Sequence, residues 1–275
     1  MVTTQLDQAI RLQALHRAPG TFIIANAWDG GSARVLQALG FQAIATSSGA
    51  CANTLGKLDG RVTRDEAMVH ARMIVAATEL PVSADLEKGF GDAPLDVAET
   101  ILLAAAQGLV GGSIEDATGE REKPLYDLAQ ATERIAAAVQ AARALPFPFT
   151  WTARAENFLR GNPDLDDTIR RLQAFDRAGA DVLFAPALPD LAAVRTICAA
   201  VSKPVNFMVG IKGKSFTVAE LAQAGVKRIS LATSLYRSAM SGLYNAAREV
   251  KEQGTFDYVN DGLTSAQLSE FMRSA

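Results

Sequence analysis

Cysteine and histidine are almost absent from this sequence, with two of each among 275 residues. Cys51 and Cys198 cannot build a disulfide framework across such a chain, and neither lies in a Cys-x-x-Cys pair, so a reducing compartment is expected. His16 and His70 both fall inside helical patterns, which leaves an imidazole-built zinc or iron site without ligands. Aromatic residues make up only 7%, too few for base-stacking platforms, and 27 Lys+Arg against 30 Asp+Glu give a net charge of -3 with no basic stripe for a phosphate backbone. No stretch approaches about 18 uninterrupted apolar residues, and Gln5, Asp7, Gln8 and Arg11 deny the N-terminal segment a signal-peptide core. The expectation is a cytoplasmic protein whose partners include neither nucleic acid nor membrane. Ser/Gly-rich or Pro-rich linkers are missing as well, so residues 1–275 are read as a single domain.

What the chain does have is a repeating alternation. Short, near-continuous apolar runs at 22–28, 43–48, 81–86, 111–116, 150–155, 182–187, 205–209 and 228–233 read as strands covered on both faces. Helical patterns follow them at 31–39, 64–77, 95–107, 128–144, 165–178, 191–200, 218–224 and 235–253. Asp127 is placed to cap one helix, and Gly40, Gly108, Gly179 and Gly225 stand where helices end at positive φ. Eight such units in this length predict an α/β protein, a (β/α)8 TIM barrel, with an extra N-terminal helix at 5–17 and a final helix at 265–272.

In such a barrel the reactive groups gather at the C-terminal ends of the strands. Strand three ends in Asp85-Leu86-Glu87-Lys88-Gly89-Phe90-Gly91, strand four in Glu115-Asp116, and Asp59 follows strand two. Carboxylates converging on one mouth repel each other unless a cation sits among them, and oxygen-only ligation favours Mg²⁺ or Mn²⁺. Lys88, beside Glu87, is expected in an ion pair, and the loop 210–215 is a candidate phosphate seat or a solvated basic turn. Arg154, in the apolar fifth strand, needs an anionic partner: Glu156 or Glu115 as a structural pair, or a substrate carboxylate. Ser47, Ser48 and Gly49 form a run of small residues whose N–H groups could hold carboxylate oxygens.

In order along the chain, Asn26-Ala27-Trp28-Asp29-Gly30-Gly31, Thr46-Ser47-Ser48-Gly49, Gly56-Lys57-Leu58-Asp59-Gly60, the Asp85 to Gly91 run, Ile114-Glu115-Asp116 and Ala153-Arg154-Ala155-Glu156 resemble the isocitrate lyase/phosphoenolpyruvate mutase superfamily. The resemblance implies a barrel whose C-terminal helix is swapped between subunits of a homodimer or homotetramer, with Mg²⁺ and a small 2-oxo or 2-hydroxy carboxylate at the mouth. It implies Asp85 as direct metal ligand, Asp59, Glu87 and Glu115 as acids holding the metal's waters, Ser47, Ser48 and Gly49 as a carboxylate-binding turn, and Arg154 as carboxylate anchor. Catalytic roles fall to Arg154, Glu115 and Asp59, with Glu115 or a metal-bound hydroxide as the candidate base.

Departures from the pattern narrow the chemistry. The loop after strand four, 117–126, carries no Cys or His where isocitrate and methylisocitrate lyases have a Lys-Cys-Gly-His proton donor, and it lacks the Asn of the phosphonomutases. The favoured expectation is a Mg²⁺-dependent carbon–carbon lyase acting through an enolate on an oxaloacetate-, malate- or isocitrate-like di- or tricarboxylate. The alternatives are phosphonopyruvate-type P–C chemistry and a barrel that binds a 2-oxo acid without turnover.

Overall fold

The apolar runs form short parallel strands because each is flanked by turn residues and covered on its outer side by a helix. The computed structural model describes residues 3–273. Strands β1 (Phe22–Asn26), β2 (Ile44–Ala45), β3 (Val82–Asp85), β4 (Gly111–Glu115), β5 (Thr150–Arg154), β6 (Val182–Phe184), β7 (Val205–Met208) and β8 (Arg228–Ser230) close in sequence order into one parallel barrel. Ile23 pairs with Ile229 where β8 meets β1 and seals it.

Helices α2 (Gly30–Ala38), α4 (Arg64–Ala76), α5 (Pro94–Ala106), α6 (Leu128–Arg143), α7 (Leu165–Arg177), α8 (Leu191–Ala200) and α9 (Val218–Gln223) follow the strands. Their buried faces, such as Ile74, Ile101, Ile135, Leu172 and Ile197, join the strands' outward residues in one core. The start signal at Asp127 acts as read, accepting the Gln130 N–H, and Thr63 and Thr217, not singled out from the sequence, make capping boxes with Glu66 and Glu220. The stop glycines Gly40, Gly108, Gly179 and Gly225 all adopt positive φ.

Helix α1 (Gln5–Arg17) stops the N-terminal end of the barrel. Ala9 and Leu12 pack with Ile24, Ala43 and Val110, and the Gln5 side chain donates to the carbonyls of Ala105 and Leu109. Gly111 makes room for this plug, since a Cβ there would lie 3.0 Å from Leu12 and from the Thr150 carbonyl.

Three details differ from the sequence reading. Strands β2, β6 and β8 are shorter, because beyond Phe184 and Ser230 the chain turns out of the ladder through left-handed Ala187 (φ 65) and Ala232 (φ 48). The small-residue run after β2 is not a plain turn: Ser47 caps a short helix, α3 (Ser48–Thr54). The helix read as the barrel's eighth, α10 (Ser234–Gln253), buries only Tyr236 and leaves Met240, Leu243, Tyr244 and Val250 exposed. The last helix, α11 (Ser265–Arg273), forms where it was expected and lies against α2, where Arg34 donates to the Met272 carbonyl at 3.1 Å. Among the described residues no helix is long and apolar enough to cross a membrane.

Candidate active site

At the C-terminal mouth, β3 ends in Asp85, and the backbone then enters a loop of three left-handed residues, Glu87 (φ 49), Gly89 (φ 88) and Phe90 (φ 60). Two of these are not glycine, so the loop holds strain that its surroundings must restrain. Buried Arg134, reaching across from α6, provides the restraint by donating to the carbonyls of Lys88, Gly91 (2.9 Å) and Asp92. Gly89 is required for space too, since a Cβ would stand 2.9 Å from Ile114 Cδ1.

Asp85 accepts three donors. Its Oδ2 accepts the Ser48 N–H at 3.1 Å, and its Oδ1 accepts Arg154 Nη1 at 2.9 Å and the Glu87 N–H at 3.3 Å. Its own N–H donates to Thr46 Oγ1, tying β3 to the end of β2. The Ser48 amide is thus engaged with Asp85, and Ser47 Oγ accepts the Ala50 N–H at the start of α3. Gly49 is where this segment meets the Asp59 loop: a Cβ on it would lie 3.3 Å from Asp59 Oδ2.

Arg154, at the end of β5, is buried and bridges three acids, with Asp85 at 2.9 Å, Glu115 at 3.1 Å and Glu156 at 2.7 Å. Its guanidinium also lies 5.1 Å from the Phe184 ring centre. Burial opposes its charge, but Glu156, Glu115 and Asp85 together hold it firmly protonated. The partners weighed from sequence are therefore both present, Glu115 and Glu156, with Asp85 added. Burial, then Glu156, raises the Glu115 carboxyl above the ordinary range. Glu87 is pushed up to about 7 by burial, then by Asp85 and Asp59.

The eight sequence-predicted residues converge. Ser48, Asp59, Glu87, Glu115 and Arg154 line an outer cavity of about 610 Å³, while Ser47, Asp85 and Arg154 line a smaller inner one, and Gly49 is buried between Asp59 and Thr233. Arg160 was missed. It donates to Glu115 Oε1 at 2.7 Å and lies 3.2 Å from Glu156 Oε2, and its signal was its place four residues after Glu156. Arg61 also lines the outer cavity. Lys88 does pair, but with Asp92 at 2.6 Å rather than with neighbouring Glu87. Residues 210–215 line neither cavity, and Lys214 donates instead to the Ala187 carbonyl. The loop 117–126 folds as a small hairpin, with Ala117 bridging Leu125. Its Tyr126 hydroxyl donates to Asp92.

Among the described residues no three His, Cys, Asp or Glu side chains form a cage that could hold a metal ion. Burial and neighbouring acids raise Glu87 and Glu115, and the oxygen-only set of Asp85, Asp59, Glu87 and Glu115 has the donor chemistry that suits a hard divalent ion.

A family model described as phosphoenolpyruvate phosphomutase matches residues 12–251. A protein of Burkholderia cenocepacia J2315, provisionally described as a lyase/mutase, has a crystal structure that superposes with a TM-score of 0.96 at 49% identity, covering 98% of this chain and 97% of that one. The 2-methylisocitrate lyase of Escherichia coli K12 is 31% identical over 239 residues, which are 83% of this chain and 79% of the relative. Phosphoenolpyruvate phosphomutase of Streptomyces platensis subsp. rosaceus is 26% identical with a TM-score of 0.84, covering 96% and 94% of the two chains. The chain therefore belongs to the phosphoenolpyruvate mutase family, within the isocitrate lyase/PEP mutase superfamily.

Proposed function

We propose that this protein is a divalent-metal-dependent lyase that cleaves a carbon–carbon bond in a small 2-oxo or 2-hydroxy di- or tricarboxylate. The observation that carries the reading is the ion pair of half-buried Asp85 with buried Arg154, flanked by Glu115, with Arg154 lining both the inner cavity and an outer one lined by acids and guanidinium groups. Asp85 would hold Mg²⁺ or Mn²⁺ directly, with Asp59, Glu87 and Glu115 behind its waters. When bound, the ion supplies positive charge where negative charge develops on the substrate's oxygens. Arg154 and Arg160 present N–H groups toward the same space and orient a carboxylate against Asp85's side of the mouth. Glu115, between these two arginines, is the group placed to take a hydroxyl proton. The buried Tyr126 hydroxyl is bound to Asp92, and the hairpin offers neither Cys nor His, so the reading assigns protonation of the product to solvent.

Phosphonopyruvate-type chemistry is the second reading, favoured by one observation: Arg61, Lys88, Arg154 and Arg160 all line the outer cavity. The exposed apolar residues of α10 support assembly as a homo-oligomer, in which that helix covers a neighbouring barrel.

The test is pyruvate and glyoxylate release from oxaloacetate, isocitrate, methylisocitrate, dimethylmalate and phosphonopyruvate, each with Mg²⁺ and with chelator. Turnover of a carboxylate that vanishes with chelator and in Asp85→Ala is the expected result. Turnover of phosphonopyruvate alone would replace the lyase reading with the second one. Binding of a 2-oxo acid without turnover of any substrate would overturn both.

A further inference from the structure

The barrel encloses a second arginine whose situation is the reverse of Arg154's. Arg228 opens β8, is buried, and donates from Nε to Asn206 Oδ1 at 2.7 Å on adjacent β7. From Nη2 it donates to Thr152 Oγ1 at 3.1 Å on β5, a strand not adjacent to β8, so the guanidinium lies inside the lumen. Its third neighbour, 3.5 Å away, is His16 Nε2 on the plugging helix. His16 Nδ1 lies 2.8 Å from the Leu12 carbonyl and must donate to it, so Nε2 faces Arg228 as a neutral acceptor.

No carboxylate among the described residues pairs with Arg228, and burial alone accounts for the downward push on its pKa, to about 9. A buried charge without a counter-charge is rare because the lost hydration is not replaced. Three of its five N–H groups are used by Asn206, Thr152 and His16, which leaves two without an acceptor among the described residues. Beside it is space. TIM-barrel lumens are commonly filled by branched apolar side chains, but here Asn26, Ser83, Ser113, Asn206 and Ser230 line a cavity of about 70 Å³ that runs from Arg228 to Arg154 and Asp85. A water needs roughly 10–15 Å³ of such space, so the cavity has room for several small polar groups.

We infer that the lumen is a seat for a small monovalent anion, a halide or the carboxylate head of a one- or two-carbon acid, held by Arg228 and the hydroxyl and amide groups around it. The seat lies below the mouth, is built from residues outside the proposed catalytic set apart from the cavity's upper rim, and stands whether or not the lyase reading does. Its anion supplies the counter-charge that the chain itself withholds from Arg228.

The test uses wild-type protein crystals soaked in sodium bromide, together with thermal unfolding in sodium chloride against sodium gluconate at matched ionic strength. The expected results are an anomalous bromide peak within hydrogen-bond reach of the Arg228 guanidinium, and a saturating rise in Tm of about 2–5 °C in chloride. Arg228→Met is expected to lose that rise; should the variant not fold, the bromide map of the wild type decides by itself. Sodium formate added to the bromide soak distinguishes the two sources: loss of the peak assigns the seat to carboxylate heads as well, and its persistence to halides alone. A lumen that holds only waters, with the same Tm in chloride and gluconate, would overturn the inference.

Discussion

Replacing Arg134 with methionine should do more damage than any other single change on the outer helices, although Arg134 touches no group proposed to act on substrate. The residue is 1% exposed, donates to three carbonyls of the 88–92 segment, and lies 4.3 Å from the Tyr126 ring centre. Methionine has similar length but no donor, so three carbonyls lose a charged partner. Hydrogen bonds to charged groups contribute about 1.5–3 kcal/mol each, and the ring contact about 0.5–2 kcal/mol. Partial access of water to the freed carbonyls reduces the sum, so about 3–5 kcal/mol of stability should be lost. At about 2–4 °C per kcal/mol for a chain of this size class, Tm should fall by roughly 6–20 °C. The left-handed residues Glu87 and Phe90 are then free to relax, so activity should fall at temperatures where the variant is still folded. Arg134→Lys, which keeps the charge but not the fork, should lie between the two. Circular-dichroism melts with parallel Mg²⁺-dependent assays read both effects. A variant within about 1 °C of wild type would show that the loop is held by something other than Arg134.

Other perturbations have defined outcomes. His16, pushed down to about 3 by burial and then by Arg228, is neutral in the folded chain. The unfolded chain takes up a proton there below about pH 6.5, so stability should fall as pH drops from that value toward 3, by about 1.4 kcal/mol per pH unit. Between pH 7 and 5 the denaturant midpoint should therefore fall more for wild type than for His16→Gln, by the equivalent of about 2 kcal/mol; equal falls would refute it. Gly89→Ala meets both a left-handed backbone and Ile114 at 2.9 Å, and urea unfolding should show a loss of about 1–3 kcal/mol. Arg160→Gln, at a partly exposed position, should leave Tm within about 2 °C yet lower kcat/KM at least about 10-fold. A change in Tm without one in kcat/KM would remove Arg160 from the site.

Local signals decided most of the architecture. Apolar strand runs, the cap at Asp127, and glycines placed at helix ends act within a few residues of themselves, so they can be read from a chain without its fold. The acids at strand ends followed from the same logic, because parallel strands in a closed barrel all deliver their last residues to one face. Where the reading slipped, the cause was distance. Lys88 was paired with its sequence neighbour Glu87, but a loop forced through left-handed backbone sends it to Asp92. The seven-residue α3 leaves no signal beyond that of a turn, because so short a helix exists only through its cap and tertiary contacts.

The sequence by itself determined that this chain is a (β/α)8 barrel with carboxylates and an arginine gathered at its mouth, since periodicity and strand order settle which end each residue reaches. Only the tertiary structure decided who pairs with whom. Arg154 lies among Asp85, Glu115 and Glu156, and Arg160 reaches back to Glu115. The outward projection of α10 and the acid-free burial of Arg228 against Asn206, Thr152 and His16 were likewise invisible beforehand. Each depends on the meeting of side chains from elements far apart in sequence, and burial then sets how strongly those few charges act on one another.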